Sequence, residues 1–135
     1  MRPAAVLALI ALAGCGGSTA PSGTGAKEAA RTYFEALTRA DDPAAYSQVA
    51  AESRKRVNVD RFAALARTYR QGLGFHPAAV HVTSCDERGD TAIAHVTLTG
   101  AGSHRHRYKD AVTLRREPDG WRVELAATFG RPVAR

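Results

Sequence analysis

Thr91-Ala92-Ile93-Ala94-His95-Val96-Thr97-Leu98-Thr99 is the stretch that decides the fold. Ala92, Ala94, Val96 and Leu98 alternate with Ile93, His95 and Thr97. A strict period of two belongs to a half-buried β-strand, because successive side chains point to opposite faces of a sheet. The same signal recurs on either side, and strands are expected over residues 79–85, 91–99, 105–115 and 121–128. Polar, glycine-containing stretches separate them, and Pro118-Asp119-Gly120 supplies the chemistry of a tight turn before the last.

Upstream of Gly74 the period is that of a helix. Ala30, Tyr33, Phe34 and Leu37 recur at helical spacing among Lys27, Glu28, Arg31, Glu35 and Arg39. Asp41-Asp42-Pro43 ends that helix and opens a second, with Asp42 as the expected cap, Pro43 in the first turn, and Tyr46, Val49 and Ala50 on one face. Residues 53–57 read as a basic connection. A third helix follows, capped by Asn58 or Asp60, striped by Phe62, Leu65 and Tyr69, and stopped at Gly72. Three helices and then a four-stranded antiparallel meander make an α+β domain of about 100 residues, long enough to bury a core without disulfides.

Before this domain, Arg2 precedes an uncharged apolar run from Ala4 to Ala13. That run is too short for a spanning helix, which needs roughly 20 apolar residues, and it fits the core of an export signal. Leu12-Ala13-Gly14-Cys15 resembles the lipobox of bacterial lipoproteins. The resemblance implies lipidation of the Cys15 thiol and cleavage between Gly14 and Cys15. Residues 16–25 hold only Gly, Ser, Thr, Ala and Pro, a composition for a flexible tether. The expected organisation is therefore a signal peptide over 1–14, a lipidated cysteine and tether over 15–25, a domain over 26–130 and a frayed tail over 131–135. Lipidation of Cys15 leaves Cys85 as the only thiol of the mature chain, and the reading for Cys85 is a small buried hydrophobe.

Tyr33-Phe34-Glu35-Ala36-Leu37, Asp41-Asp42-Pro43-Ala44-Ala45-Tyr46 and Asp119-Gly120-Trp121-Arg122-Val123 together resemble the NTF2-like (cystatin-like) lipoproteins of bacteria over residues 26–129. The resemblance implies a curved sheet wrapped around a long helix as a cone, whose open end is a pocket or an interaction surface. Some members are enzymes, such as ketosteroid isomerases and polyketide cyclases, and many are not. A fold does not fix a function.

The chemistry-bearing residues are few. Tyr108, Asp110, Val112 and Leu114 share one parity, which puts Asp110 on the apolar side of its strand as the candidate general base of an isomerase- or cyclase-like enzyme acting on an apolar substrate. His95 and Tyr33 or Tyr46 are its candidate partners, and Tyr33, Tyr46, Tyr108, Asp110 and Trp121 are the candidate pocket. His76, His81, His95, His104 and His106 lack the spacing of carboxylates or thiolates that a closed metal site needs, so no metal or other cofactor is expected.

The whole chain carries 19 Lys plus Arg against 13 Asp plus Glu, a net +6. Arg105, Arg107, Lys109, Arg115 and Arg122 fall on the polar parity of the last two strands and form a candidate interaction face. Export removes nucleic acid as the partner of such a face and leaves anionic lipid, cell-wall polyanions or an acidic protein patch. The leading expectation is a lipid-anchored, extracytoplasmic, non-enzymatic domain that binds an envelope protein or a small ligand. The alternative is the small cone-fold enzyme with Asp110 as base.

Overall fold

The computed structural model describes residues 23–102 and 106–131. Four helices precede four strands among them: α1 (Ala26–Thr38), α2 (Asp42–Ser47), α3 (Ala51–Arg56), α4 (Val59–Leu73), β1 (Pro77–Arg88), β2 (Thr91–Gly100), β3 (Arg107–Glu117) and β4 (Gly120–Glu124). The strands form one antiparallel sheet in the order β1-β2-β3-β4, and α1 packs across all four.

The alternation of β2 sets which face is covered. Ala92, Ala94, Val96 and Leu98 are buried beneath the helices, while Ile93 and His95 stay exposed on the outer face. α1 meets them with Ala26, Ala30, Tyr33, Phe34, Ala36 and Leu37, all buried. Alanine on both surfaces lets helix and sheet approach closely, and the larger Phe34, Phe62, Leu37, Leu98 and Leu114 fill the space beside them. Burial of each such side chain stabilises the fold by about 1.5–3 kcal/mol.

Four helices stand where three were expected. The fourth is α3, in the basic connection, where Glu52 lies in the first turn and Arg54, Lys55 and Arg56 in the last, each sign at the helix end that favours it. It escapes periodicity because its one buried residue is polar: Ser53, whose Oγ accepts the Leu125 N–H at 3.0 Å. Val49 and Ala50 are buried but lie outside α2, where they clamp β4 instead. Ala50 N–H donates to the Val123 carbonyl at 2.8 Å, and Val123 N–H donates to that of Gln48 at 2.7 Å.

The helix ends also shift. Asp41, rather than Asp42, caps α2, accepting the Ala44 N–H at 3.2 Å. Asn58 caps α4 through the Arg61 N–H at 2.8 Å. α4 runs past Gly72 to Gly74, whose φ of 72° is the left-handed conformation a helix stop requires. β4 ends at Glu124 instead of continuing to residue 128, and the chain after it turns away from the sheet through residues 127–130.

Candidate functional site

Register places Asp110 opposite Val96 of β2, so its side chain shares the helix-facing side with Tyr108, Val112 and Leu114. β4 pairs only with residues 113–117 of β3. Beside Tyr108 to Val112 there is consequently no fourth strand, and a cavity of about 440 Å³ opens there between sheet, helices and the segment after β4. Tyr33 of α1, Tyr69 of α4, Tyr108 and Asp110 of β3, Leu125 and Phe129 line it.

Asp110 is half-buried and is held by two neutral donors. The Tyr69 hydroxyl donates to Oδ2 at 2.8 Å, and the Ala111 N–H donates to Oδ1 at 2.7 Å. No Lys, Arg or His among the described residues forms an ion pair with it. Its charge is felt by all three phenols. Burial raises Tyr33, Tyr69 and Tyr108 above the usual tyrosine range, and the negative charge of Asp110 raises each further. All three stay protonated at neutral pH.

The Tyr33 hydroxyl is placed differently. The residue is 1% exposed, yet its hydroxyl makes no hydrogen bond to any described residue. Among those residues no fully enclosed polar side-chain atom lacks a partner, so this hydroxyl opens on the cavity. Aromatic rings continue the wall, with Tyr69 edge-on to Tyr108 at 6.3 Å between centroids, and Phe129 5.8 Å from Tyr69 and 5.6 Å from Phe62.

The cavity thus unites Tyr33, Tyr108 and Asp110 of the expected pocket and excludes two others. Tyr46 points elsewhere, its hydroxyl donating to the Val57 carbonyl at 2.8 Å beneath the Arg54 guanidinium. Trp121 is buried at the far end of the sheet, where its indole N–H donates to Thr24 Oγ1 at 2.9 Å. His95 is exposed on the outer face, opposite to Asp110, and is not its partner. Tyr69 is a further site residue, and in the sequence it falls in the apolar stripe of its helix with Phe62 and Leu65. Its partner lies 41 residues away and nothing local announces it.

On the outer face Arg107 and Lys109 are exposed, but Arg115 Nε pairs with Glu124 at 2.6 Å and Arg122 reaches Asp119 at 2.9 Å. The strip is therefore half neutralised. Arg105 and His104 lie outside the described residues, as do Gly14, Cys15 and the signal segment. His76, His81 and His106 are exposed, and no group of three or more metal-ligating side chains is found among the described residues. Cys85 is half-buried, with burial first and then Glu87 and Asp86 raising its thiol.

No protein-family model and no curated protein matches the chain. Solved structures do. A proposed NTF2-like transpeptidase from Campylobacter jejuni superposes with a TM-score of 0.61 at 13% identity, covering 76% of this chain and 100% of the other. A SEC-C motif containing protein from Rhodopseudomonas palustris superposes with a TM-score of 0.52 at 13% identity, over 72% of this chain and 73% of the other. Helices packed on a four-stranded antiparallel meander are an α+β arrangement of the NTF2-like topology. At this identity the likeness is one of fold alone.

Proposed function

We propose that this chain is an NTF2-like lipoprotein, anchored through Cys15 on the extracytoplasmic face of a bacterial membrane, that binds a small ligand in the cavity without transforming it. In this reading the sheet curls about α1 as a cone, and the cavity is its open end. The observation that carries the binding function is the Tyr33 hydroxyl, which bonds no described residue and opens on a cavity of about 440 Å³ walled in part by aromatic rings. A hydroxyl that opens on a cavity can both donate to and accept from whatever occupies it. A ligand atom that bonds it takes the place of water there.

Native mass spectrometry of the protein, extracted gently from its own membrane, tests the reading. A small non-covalent adduct, lost in a cavity-filling Val112→Trp variant, is the expected result. A protein adduct that survives Val112→Trp would move the function to the Arg107 and Lys109 face. Anchoring is tested by Cys15→Ala, which should leave the membrane fraction or remain unprocessed. A mature-length variant that stayed membrane-bound would contradict the lipid anchor.

The position of Asp110 in the same cavity favours a second reading, a proton-abstracting enzyme on an apolar substrate, with Tyr33 as the neighbouring hydroxyl. An Asp110→Asn variant that retained every activity-dependent phenotype would exclude it.

A further inference from the structure

Charge and ring placement in the cavity narrow the ligand class, on the reading that the cavity is a binding site. Asp110 carries a negative charge there, and its two protein donors are a phenol and a backbone amide, both neutral. Each occupies one lone pair of its oxygen, and a carboxylate offers about four acceptor sites in all. The side chain is therefore anchored and still able to accept. Glu124, also on the lining, is spent on Arg115 at 2.6 Å. Arg131 stands exposed at the rim and forms no ion pair with Asp110.

Tyr33, Tyr69, Tyr108 and Phe129 line the same cavity as this carboxylate. An aromatic ring attracts a cation placed over its face, and the attraction grows where water is displaced. An anionic ligand would meet the Asp110 charge inside the cavity, with the exposed Arg131 as the one cation among the described lining residues to set against it. A neutral apolar ligand would fill the volume and leave the charge unpaired.

We propose that the cavity binds an organic ammonium ion, with its positive charge held between the Asp110 carboxylate and the tyrosine rings and its carbon substituents against Leu125 and Phe129. The Tyr33 hydroxyl accepts from an N–H of the ion, or donates to a hydroxyl carried beside the charge. A cavity of 440 Å³ suits a small branched or quaternary ammonium group with a short chain.

The test uses the full-length protein in a non-ionic detergent, with choline and its neutral isostere 3,3-dimethylbutan-1-ol as probes, followed by the NMR signals of the tyrosine rings and by calorimetry. Choline is expected to shift the Tyr33, Tyr69 and Tyr108 signals and to bind at least tenfold more tightly than the isostere. Asp110→Asn, which keeps an oxygen for Tyr69, should abolish that preference while its melting temperature confirms folding. Equal or tighter binding of the isostere overturns the ammonium assignment and leaves the cavity as an apolar binding site. If neither probe moves those signals, the ammonium assignment falls, while the ligand-binding reading stands or falls separately on the native mass spectrum. Choline binding that persists unchanged in Asp110→Asn also overturns the proposal.

Discussion

Tyr33 and Tyr69 line one cavity, and removing the hydroxyl from each should have unequal consequences. Tyr69→Phe deletes an O–H donor 2.8 Å from a carboxylate oxygen. Hydrogen bonds to charged groups contribute about 1.5–3 kcal/mol. Asp110 is half-buried, so water takes over part of the role and about 1–1.5 kcal/mol is expected. Tyr33→Phe deletes a hydroxyl that bonds no described residue, while the ring keeps its contacts with Phe34 at 5.2 Å and Phe62 at 6.5 Å. Its stability should change by less than about 0.5 kcal/mol, or rise. In a domain of this size 1 kcal/mol moves the midpoint by roughly 4–8 °C, so thermal melts with urea titrations resolve the two. Both phenols are raised in the folded state, so their contribution is complete below the unfolded tyrosine value of about 10 and declines above it, as the unfolded chain ionises and the folded one resists. Tyr69→Phe should soften that alkaline decline. A loss in Tyr33→Phe as large as in Tyr69→Phe would refute the reasoning, because the Tyr33 hydroxyl would then hold the fold rather than await a ligand.

Ser53→Ala should cost about 1–3 kcal/mol in chemical denaturation, since it leaves the buried Leu125 N–H without its acceptor; Ser53→Thr separates lost bonding from lost volume. Gly130→Ala should destabilise by at least about 1–2 kcal/mol, because φ is 77° and the added carbon would lie 2.7 Å from the Leu65 carbonyl oxygen. A melting temperature equal to the parent's would mean that the segment carrying Phe129 is not held as described. Burial works to raise Glu87, but donors from Thr24 and the Ala26 N–H outweigh it and lower the carboxyl overall. Its stabilisation is therefore complete above the unfolded glutamate value of about 4.3 and lost as pH falls through the lower folded value. Glu87→Gln should weaken the fold at neutral pH and match the parent in strong acid; a pH-independent difference would assign the effect to packing.

Periodicity made the sheet and the two long helices readable, because each buries a continuous apolar face and the pattern follows directly from geometry. The same rule carried the facing of Asp110, which shares parity with Leu114, and it argues against His95, which shares parity with the exposed Ile93. What stayed hidden was set by tertiary contact. α3 turns a serine inward and shows no apolar stripe. The Tyr69 hydroxyl looks like any core aromatic until its strand partner is in place. Tyr46 and Trp121 are aromatic residues on buried faces, which composition marks as pocket candidates, yet each spends its polar atom on a structural bond.

The early end of β4 links these two kinds of residue. Thr113 pairs with Glu124, and continuing that register would set Val112 against Leu125, Asp110 against Ala127 and Tyr108 against Phe129. A strand running to residue 128 would thus cover the free edge of β3 and pass across the space now lined by Tyr33, Tyr69 and Asp110. The chain instead leaves the sheet after Glu124, inserts Phe129 against Phe62 and Tyr69, and turns at Gly130, which packs against Leu65. Unpaired edges are a liability that a fold covers or shields. Here one edge amide, the Ala111 N–H, is bonded by Asp110 itself, so the carboxylate that charges the cavity also satisfies the backbone exposed by the missing strand. The cavity and its charge therefore arise from one departure from the regular meander, at the point where the alternating pattern alone predicts more strand.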